Sequence, residues 1–240
     1  MLLANELCAI TNILQIVEQK PDCELFLYLD EVGLWIYSDK FDYYNSCEIY
    51  DALQNRIKFA NNELLVKAIK TTNGDNNIIF DLTAGFGKDS ILLAASGYNI
   101  VMLEQNPFLA TIIGYFLYKF KDVYSWVNNM QIIYGNSINF LMNYQAKLPI
   151  AVYLDPMFQD KKSALAKKDM QIIKLLNDKF NSSCNENLDT NKLFDLGYKY
   201  AQCKLVVKRD NKQKPLVVSP PVSYAILGKT VRYDVYITSK

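Results

Sequence analysis

Hydrophobic positions recur at helical spacing near the start of the chain: Leu3, Leu7, Ile10, Leu14 and Val17 predict a helix over residues 2–18. The pattern then shortens. Leu25–Leu29 and Leu34–Tyr37 are apolar, aromatic-rich runs separated by Asp30, Glu31 and Gly33, which predicts a hairpin. Residues 1–55 thus read as a small N-terminal α+β unit, and residues 56–240 as a larger domain. From about residue 62 strands alternate with helices. Leu64–Lys70 is helical in pattern, and residues 72–77 form a polar loop. Strands are expected at Ile78–Leu82, Ile100–Glu104, Met130–Tyr134, Ile150–Leu154 and Lys204–Lys208. Helices are expected at Ser90–Ala95 and Phe108–Phe120. Such alternation implies right-handed crossovers and a mainly parallel, Rossmann-like α/β sheet. Residues 177–193, rich in Asn, Asp and Ser, read as a connecting loop. Val222–Leu227 and Val231–Ile237 flank Gly228-Lys229 and predict an antiparallel hairpin closing the sheet.

Composition narrows the chemistry. Half the residues are hydrophobic and 21% are charged, so a sizeable core is expected. The formal charge is +1, so any nucleic-acid surface has to come from local clustering of Lys and Arg. There is no histidine, which excludes Ser-His-Asp and Cys-His nucleophiles, histidine-ligated zinc and histidine bases. Five dispersed cysteines without a C-x-x-C argue against a disulfide framework or zinc ribbon and favour a reducing cytoplasm. The first 17 residues lack a charged n-region and a cleavage site, so no signal peptide is expected. The longest apolar run, Phe108–Tyr118, is far short of the roughly 20 residues that span a bilayer.

The segment Asp81-Leu82-Thr83-Ala84-Gly85-Phe86-Gly87-Lys88-Asp89 sits where a strand hands over to a helix. Gly85 and Gly87 permit positive φ and close approach of backbone to a ligand. The amides opening the helix favour the negative end of that ligand. Glu104, 23 residues after Asp81, ends the next strand, where a carboxylate can accept two ribose hydroxyls. A P-loop fails because Leu82 stands where its first glycine belongs. A dinucleotide site departs from G-x-G-x-x-G at Ser90 but stays open, as does a plain turn with a surface carboxylate. An S-adenosylmethionine site accounts best for the turn together with Glu104 and the motif that follows.

That motif is Asp155-Pro156-Met157-Phe158, at the carboxyl end of the fourth strand of the large sheet, the edge where α/β sheets bind ligands. An exocyclic amine is a poor nucleophile because its lone pair is delocalised into the ring. Acceptors that hold its protons favour a pyramidal nitrogen and aim the lone pair at an activated methyl. The Asp155 carboxylate and the Pro156 carbonyl are the candidate acceptors, and Phe158 can stack on a base drawn out of its helix. No acid–base pair or metal need be invoked, since a sulfonium is already an activated methyl donor, and alignment supplies roughly 7–11 kcal/mol in well-oriented systems. The plain alternative is an Asp-Pro turn over a buried Phe158. Asn136 and Ser137, after the third strand of that sheet, are suited to an adenine edge, although Gly135-Asn136 is equally ordinary as a turn.

These residues resemble the ribosomal RNA small subunit methyltransferase J family, guanine-N2 methyltransferases of 16S rRNA. The resemblance rests on D-L-T-A-G-F-G-K-D at Asp81–Asp89, M-L-E-Q-N-P at Met102–Pro107, and V-Y-L-D-P-M-F with K-K-S-A-L at Val152–Leu165. It continues in V-V-K-R at Val206–Arg209 and G-K-T-V-R-Y-D-V-Y at Gly228–Tyr236. It covers residues 56–240 well and the N-terminal unit loosely. It implies a class I methyltransferase fold, S-adenosylmethionine as cofactor, and binding of that cofactor by Lys88, Asp89, Glu104, Gln105, Asn136, Ser137 and Asp155. Asp81, Gly85 and Gly87 complete the expected site. Members often carry Arg where Lys88 and Gln105 stand; Lys88 keeps charge without bidentate geometry, and Gln105 loses it.

Lys161, Lys162, Lys167 and Lys168 follow Asp155–Phe158, and Lys208 and Arg209, with Lys212 and Lys214 beyond, follow the fifth strand of that sheet. Together they are expected to form a phosphate-binding rim for 16S rRNA or the small subunit, against the plain reading of solvated lysines. Three rivals stay open: a methyltransferase acting on a protein or small-molecule amine, a non-catalytic RNA-binding assembly factor, and a nucleotide-dependent oxidoreductase.

Overall fold

In a computed structural model, the structure describes residues 2–12, 14–40, 42–51, 53–71, 77–156, 168–183 and 189–238. The chain opens with helix α1 (Leu2–Thr11), strands β1 (Leu25–Leu29), β2 (Leu34–Ser38) and β3 (Asp42–Asn45), and helices α2 (Glu48–Asp51), α3 (Gln54–Lys58) and α4 (Leu64–Ile69). Then follow β4 (Ile78–Asp81), α5 (Lys88–Ala95), β5 (Asn99–Glu104), α6 (Pro107–Phe120), β6 (Met130–Tyr134), α7 (Ser137–Asn143) and β7 (Ala151–Leu154). Helices α8 (Lys168–Ser183) and α9 (Thr190–Tyr200) precede β8 (Lys204–Asp210), β9 (Tyr224–Leu227) and β10 (Val231–Ile237).

Among the described residues, seven strands form one sheet in the order β6-β5-β4-β7-β8-β10-β9, and β1-β2-β3 form a second, antiparallel sheet. Strands β4 to β8 pair in parallel, and β10 pairs antiparallel with both β8 and β9. The expected parallel sheet with its closing hairpin is therefore present. Strand order reverses at β4, which pairs with β5 on one side and with β7 on the other. In open α/β sheets the crevice that takes a ligand lies at such a reversal, at the carboxyl ends of the strands.

Two buried clusters flank the large sheet. One gathers Ile69, Ile91, Ile113, Tyr153 and Ile172 and extends without a break to Leu7, Leu34, Ile36, Tyr44 and Ile49 of the N-terminal segment. The other packs Leu141, Leu193 and Phe194 against Phe80, Val152 and Tyr236. Burial at period two on β8 sends Val206 to the first cluster and Leu205 and Val207 to the second.

Three expectations are corrected. The first helix ends at Thr11, not near residue 18, because Asn12 takes a left-handed φ of 55° while its N–H closes on the Cys8 carbonyl at 3.0 Å. The described residues of 177–193 are largely helical: α8 runs through to Ser183, and Asp189 caps α9 by accepting the Lys192 N–H at 3.0 Å. Tertiary burial of Ile172, Ile173 and Leu176 overrides the polar composition of the end of α8. A third strand, β3, completes the small sheet where only a hairpin is expected from the pattern.

Candidate active site

The sequence after β4 is folded by its own polar side chains. Asp81 is buried; one carboxylate oxygen accepts the Thr83 N–H at 3.1 Å and the other the Ser90 hydroxyl at 2.6 Å. Burial pushes this carboxyl up to about 7. Asp81 thus shapes the turn from beneath. Gly85 and Gly87 stand at φ 56° and 71°, and a Cβ on Gly85 would lie 3.1 Å from Ile173 Cδ1. Gly87 is the N-cap of α5, whose opening amides lack intrahelical partners by geometry.

Glu104 ties β5 to this turn. Its Oε2 accepts the Gly85 N–H and its Oε1 the Asn106 N–H, both at 2.8 Å. Burial pushes its carboxyl up to about 7, and among the described residues it has no ion-pair partner. Next to it, Gln105 Oε1 is buried without a hydrogen-bond partner. Both side chains are acceptors with lone pairs to spare, which fits a ligand bringing hydroxyl donors, as a ribose does.

The opposite wall of the crevice is built differently. The Leu82 N–H donates to the Tyr153 carbonyl at 3.1 Å, and the Asp155 N–H to Thr83 Oγ1 at 2.6 Å, so the glycine turn and the Asp155-Pro156 corner share one edge. The β7–β8 register pairs Leu154 with Val207, and its continuation sets Lys208 beside Asp155. The Lys208 ammonium bridges Asp155 Oδ2 at 2.8 Å and Asp89 Oδ2 at 2.7 Å. Asp89 Oδ2 also accepts the Tyr153 hydroxyl at 2.6 Å. Burial acts to raise the Asp89 carboxyl, but Lys208, Tyr153 and Arg56 outweigh it and hold it low. Burial would lower the Lys208 ammonium, yet the two carboxylates raise it. Asp155 is pushed up, first by desolvation and then by Asp89, with Lys208 opposing. Its side chain nevertheless keeps 41% of its surface exposed, the open end of the network.

Residues 14–238 match the family described as "Putative SAM-dependent methyltransferase". Two curated relatives, from Legionella pneumophila strain Paris and Pseudomonas savastanoi pv. phaseolicola, are both called ribosomal RNA small subunit methyltransferase J. The first is 35% identical over 72% of this chain and 67% of its own length, the second 33% identical over 72% and 63%. This chain belongs to the methyltransferase J family. The match thus spans less than two thirds of the Pseudomonas protein. A solved SAM-dependent methyltransferase from Neisseria gonorrhoeae superposes with a TM-score of 0.73, covering 99% of this chain and 91% of its own, at 20% identity. That likeness shows the class I methyltransferase fold.

Within this methyltransferase J chain the expected residues separate into groups. Gly85, Gly87, Glu104, Gln105, Asp89, Asp155 and the buried Pro156 surround the crevice edge. Asn136 caps α7 through its side-chain oxygen, which accepts the Ile138 and Asn139 N–H groups at 2.9 and 3.2 Å. The Ser137 hydroxyl donates to the Leu82 carbonyl at 2.6 Å, tying the end of β6 to the glycine turn. Lys88 is ion-paired with Asp169 of α8. Phe158, Lys161, Lys162 and Lys167 lie outside the described residues.

The phosphate rim needs correction. Lys208 and Arg209 are neighbours on one strand, so their side chains leave opposite faces of the sheet. Lys208 is committed to two carboxylates, while the buried Arg209 guanidinium donates to the Lys214 carbonyl at 2.8 and 3.1 Å. Neither lies open to a phosphate. Lys168 is exposed, with its ammonium 4.2 Å from the Tyr44 ring centre. Sequence reasoning passes over Thr83, Ser90, Tyr153 and Arg56. Period two on β7 is the signal for Tyr153, which shares a face with Asp155, whereas nothing local marks Arg56, held by two 2.8 Å hydrogen bonds to Glu63.

Proposed function

We propose that this methyltransferase J family member transfers a methyl group to the exocyclic N2 amine of a guanine in 16S ribosomal RNA, as naked RNA or within the small subunit, in a reducing cytoplasm. The carrying observation is the Asp155-Pro156 corner, hydrogen-bonded to the glycine turn and anchored by Lys208. The relatives' shared name supports RNA as the substrate class.

S-Adenosylmethionine supplies a methyl already activated on a sulfonium when bound. Glu104 is assigned to the ribose hydroxyls, with Gln105 beside it. Gly85, Gly87, Lys88 and Asp89 line the turn side, Asn136 and Ser137 the adenine side, and Asp81 holds the turn in shape. The Asp155 carboxylate and the Pro156 carbonyl accept hydrogen bonds from the two amine N–H groups, turning the nitrogen lone pair toward the donor, and the one proton the amine sheds on methylation leaves through the Asp155 carboxylate. Lys208 acts as a positioning residue that fixes the Asp155 carboxylate and keeps it ionised. Phe158 is assigned to stacking on the guanine, and Lys161, Lys162, Lys167 and Lys168 to phosphates. With Lys208 and Arg209 turned inward, the RNA-binding role is left to the lysines that follow the corner in sequence.

The test incubates the protein with radiolabelled cofactor and either naked 16S rRNA or small subunits, then resolves the nucleosides by mass spectrometry. Label in N2-methylguanosine that disappears in Asp155→Ala supports the reading. Label only in ribosomal protein or a small amine would replace it with the amine-methyltransferase alternative, and cofactor binding without transfer would leave an assembly factor.

A further inference from the structure

The small N-terminal sheet has two unlike faces. Leu34, Ile36 and Tyr44 point into the main buried cluster. Phe26, Tyr28, Trp35, Tyr37 and Tyr43 alternate with them on the other face, and none of the five belongs to either buried cluster, although Phe26 is itself buried and Trp35 and Tyr37 are half-buried. Four of these rings form a continuous array. Phe26 stacks on Tyr37 at 4.5 Å, Tyr37 meets Tyr43 at 5.0 Å, and Tyr43 meets Tyr28 at 5.8 Å. Tyr28 and Tyr43 are each 46% exposed. Two neighbouring exposed rings, backed by half-buried and buried aromatics, make a grouped apolar surface of the kind that marks an interaction site.

Charge identifies the partner. Of the 26 Lys and Arg and 25 Asp and Glu in the chain, residues 1–55 hold two and ten, a net of −8, which leaves +9 for residues 56–240. The same face carries two carboxylates bound to its aromatic side chains: Asp30 accepts the Trp35 indole N–H at 3.0 Å, and Asp39 the Tyr37 hydroxyl at 3.1 Å. Lys20 already lays its ammonium 4.4 Å from the Tyr37 ring centre, so the face takes a cation in this chain's own fold. Aromatic platforms also stack RNA bases, but those tracks carry basic residues for the backbone, and a unit of net −8 repels phosphate.

We propose that the outer face of β1-β2-β3 docks an arginine- and lysine-rich protein segment, whose cations lie over the exposed rings of Tyr28 and Tyr43, between Asp30 and Asp39. Cation–π contact and carboxylate attraction act together there. This goes beyond the methyl-transfer reading and does not rest on it.

The full-length protein is titrated into a fluorescein-labelled peptide of alternating Arg and Gly, and separately into single-stranded oligouridine, at physiological salt. Fluorescence anisotropy reports binding. Tyr28→Ala/Tyr43→Ala removes exposed rings without touching the core; its thermal unfolding and cofactor binding should match the wild type. The expected result is peptide binding weakened about tenfold in the double variant, the scale of two exposed cation–π contacts, with a further loss in Asp39→Asn. Four outcomes overturn the proposal. They are no peptide binding, equal peptide affinity in the tyrosine variant (diffuse charge attraction), oligouridine binding that the variant loses, and sedimentation showing a dimer that the variant dissolves.

Discussion

Glu104, at the end of β5, is held by two backbone amides and has no ion-pair partner among the described residues, whereas Asp155, just past β7, shares the Lys208 ammonium with Asp89. Both carboxylates sit on the carboxyl edge of one sheet. Neutral donors leave Glu104 near 7, ready to gain from hydroxyl donors that a ligand brings. A shared cation gives Asp155 a fixed direction and favours its anion, which a proton-holding acceptor requires. Two acidic residues, equivalent in composition, are thereby prepared for different partners.

Removing Asp155 tests this contrast most severely. Asp155→Ala should lower the single-turnover methyl-transfer rate by about 10²–10³-fold, the scale of losing one preorganised electrostatic group, with cofactor binding retained. An unaltered rate would move the chemistry elsewhere. Lys208→Met comes next. Losing the cation that opposes burial should reduce the rate by about 100-fold, the lower end of the range for proton-handling groups. The carboxyl of Asp155, already raised, rises further, so activity is lost at a higher pH on acidification. Lys208→Arg should restore part of the rate and of the profile; a merely structural lysine would change stability without moving the acidic limb.

Glu104 should show the opposite dependence, in binding rather than rate. With its carboxyl near 7, most of it is protonated at pH 6 and cannot accept two donors. Cofactor affinity by calorimetry should therefore be about tenfold weaker at pH 6 than at pH 8. Glu104→Gln should bind weakly and flatly across that range, and a surviving pH dependence would point to another group. The smallest effect belongs to the residue beneath both sites. Ser90→Ala removes the 2.6 Å hydrogen bond to buried Asp81 and should cost about 1–3 kcal/mol, read by thermal unfolding.

Much of this edge was legible in the chain. The glycine pair, Glu104 and Asp155-Pro156 are local signatures, because each lies at a strand end whose hydrophobic run is visible. Lys208 was legible as a basic residue after a strand but not as a clamp; its partners are 119 and 53 residues away in sequence. The V-V-K-R run could have warned that both basic side chains would not meet one rim, since period two separates them. Helix α8 is not legible because its last turns are polar and only its apolar stripe, packed on α6 and in the main buried cluster, makes it a helix.

The order of strands and helices, the closing hairpin and the glycine turn follow from the sequence itself, since local periodicity and backbone freedom act over a few residues. Which charges face solvent and which cancel one another was decided only in three dimensions. Sheet register brings Lys208 between Asp89 and Asp155, and burial then forces those groups to satisfy each other. The same holds for the small sheet: its alternation is visible in the chain, but only the packing of its inner face on the common core turns the aromatic side outward.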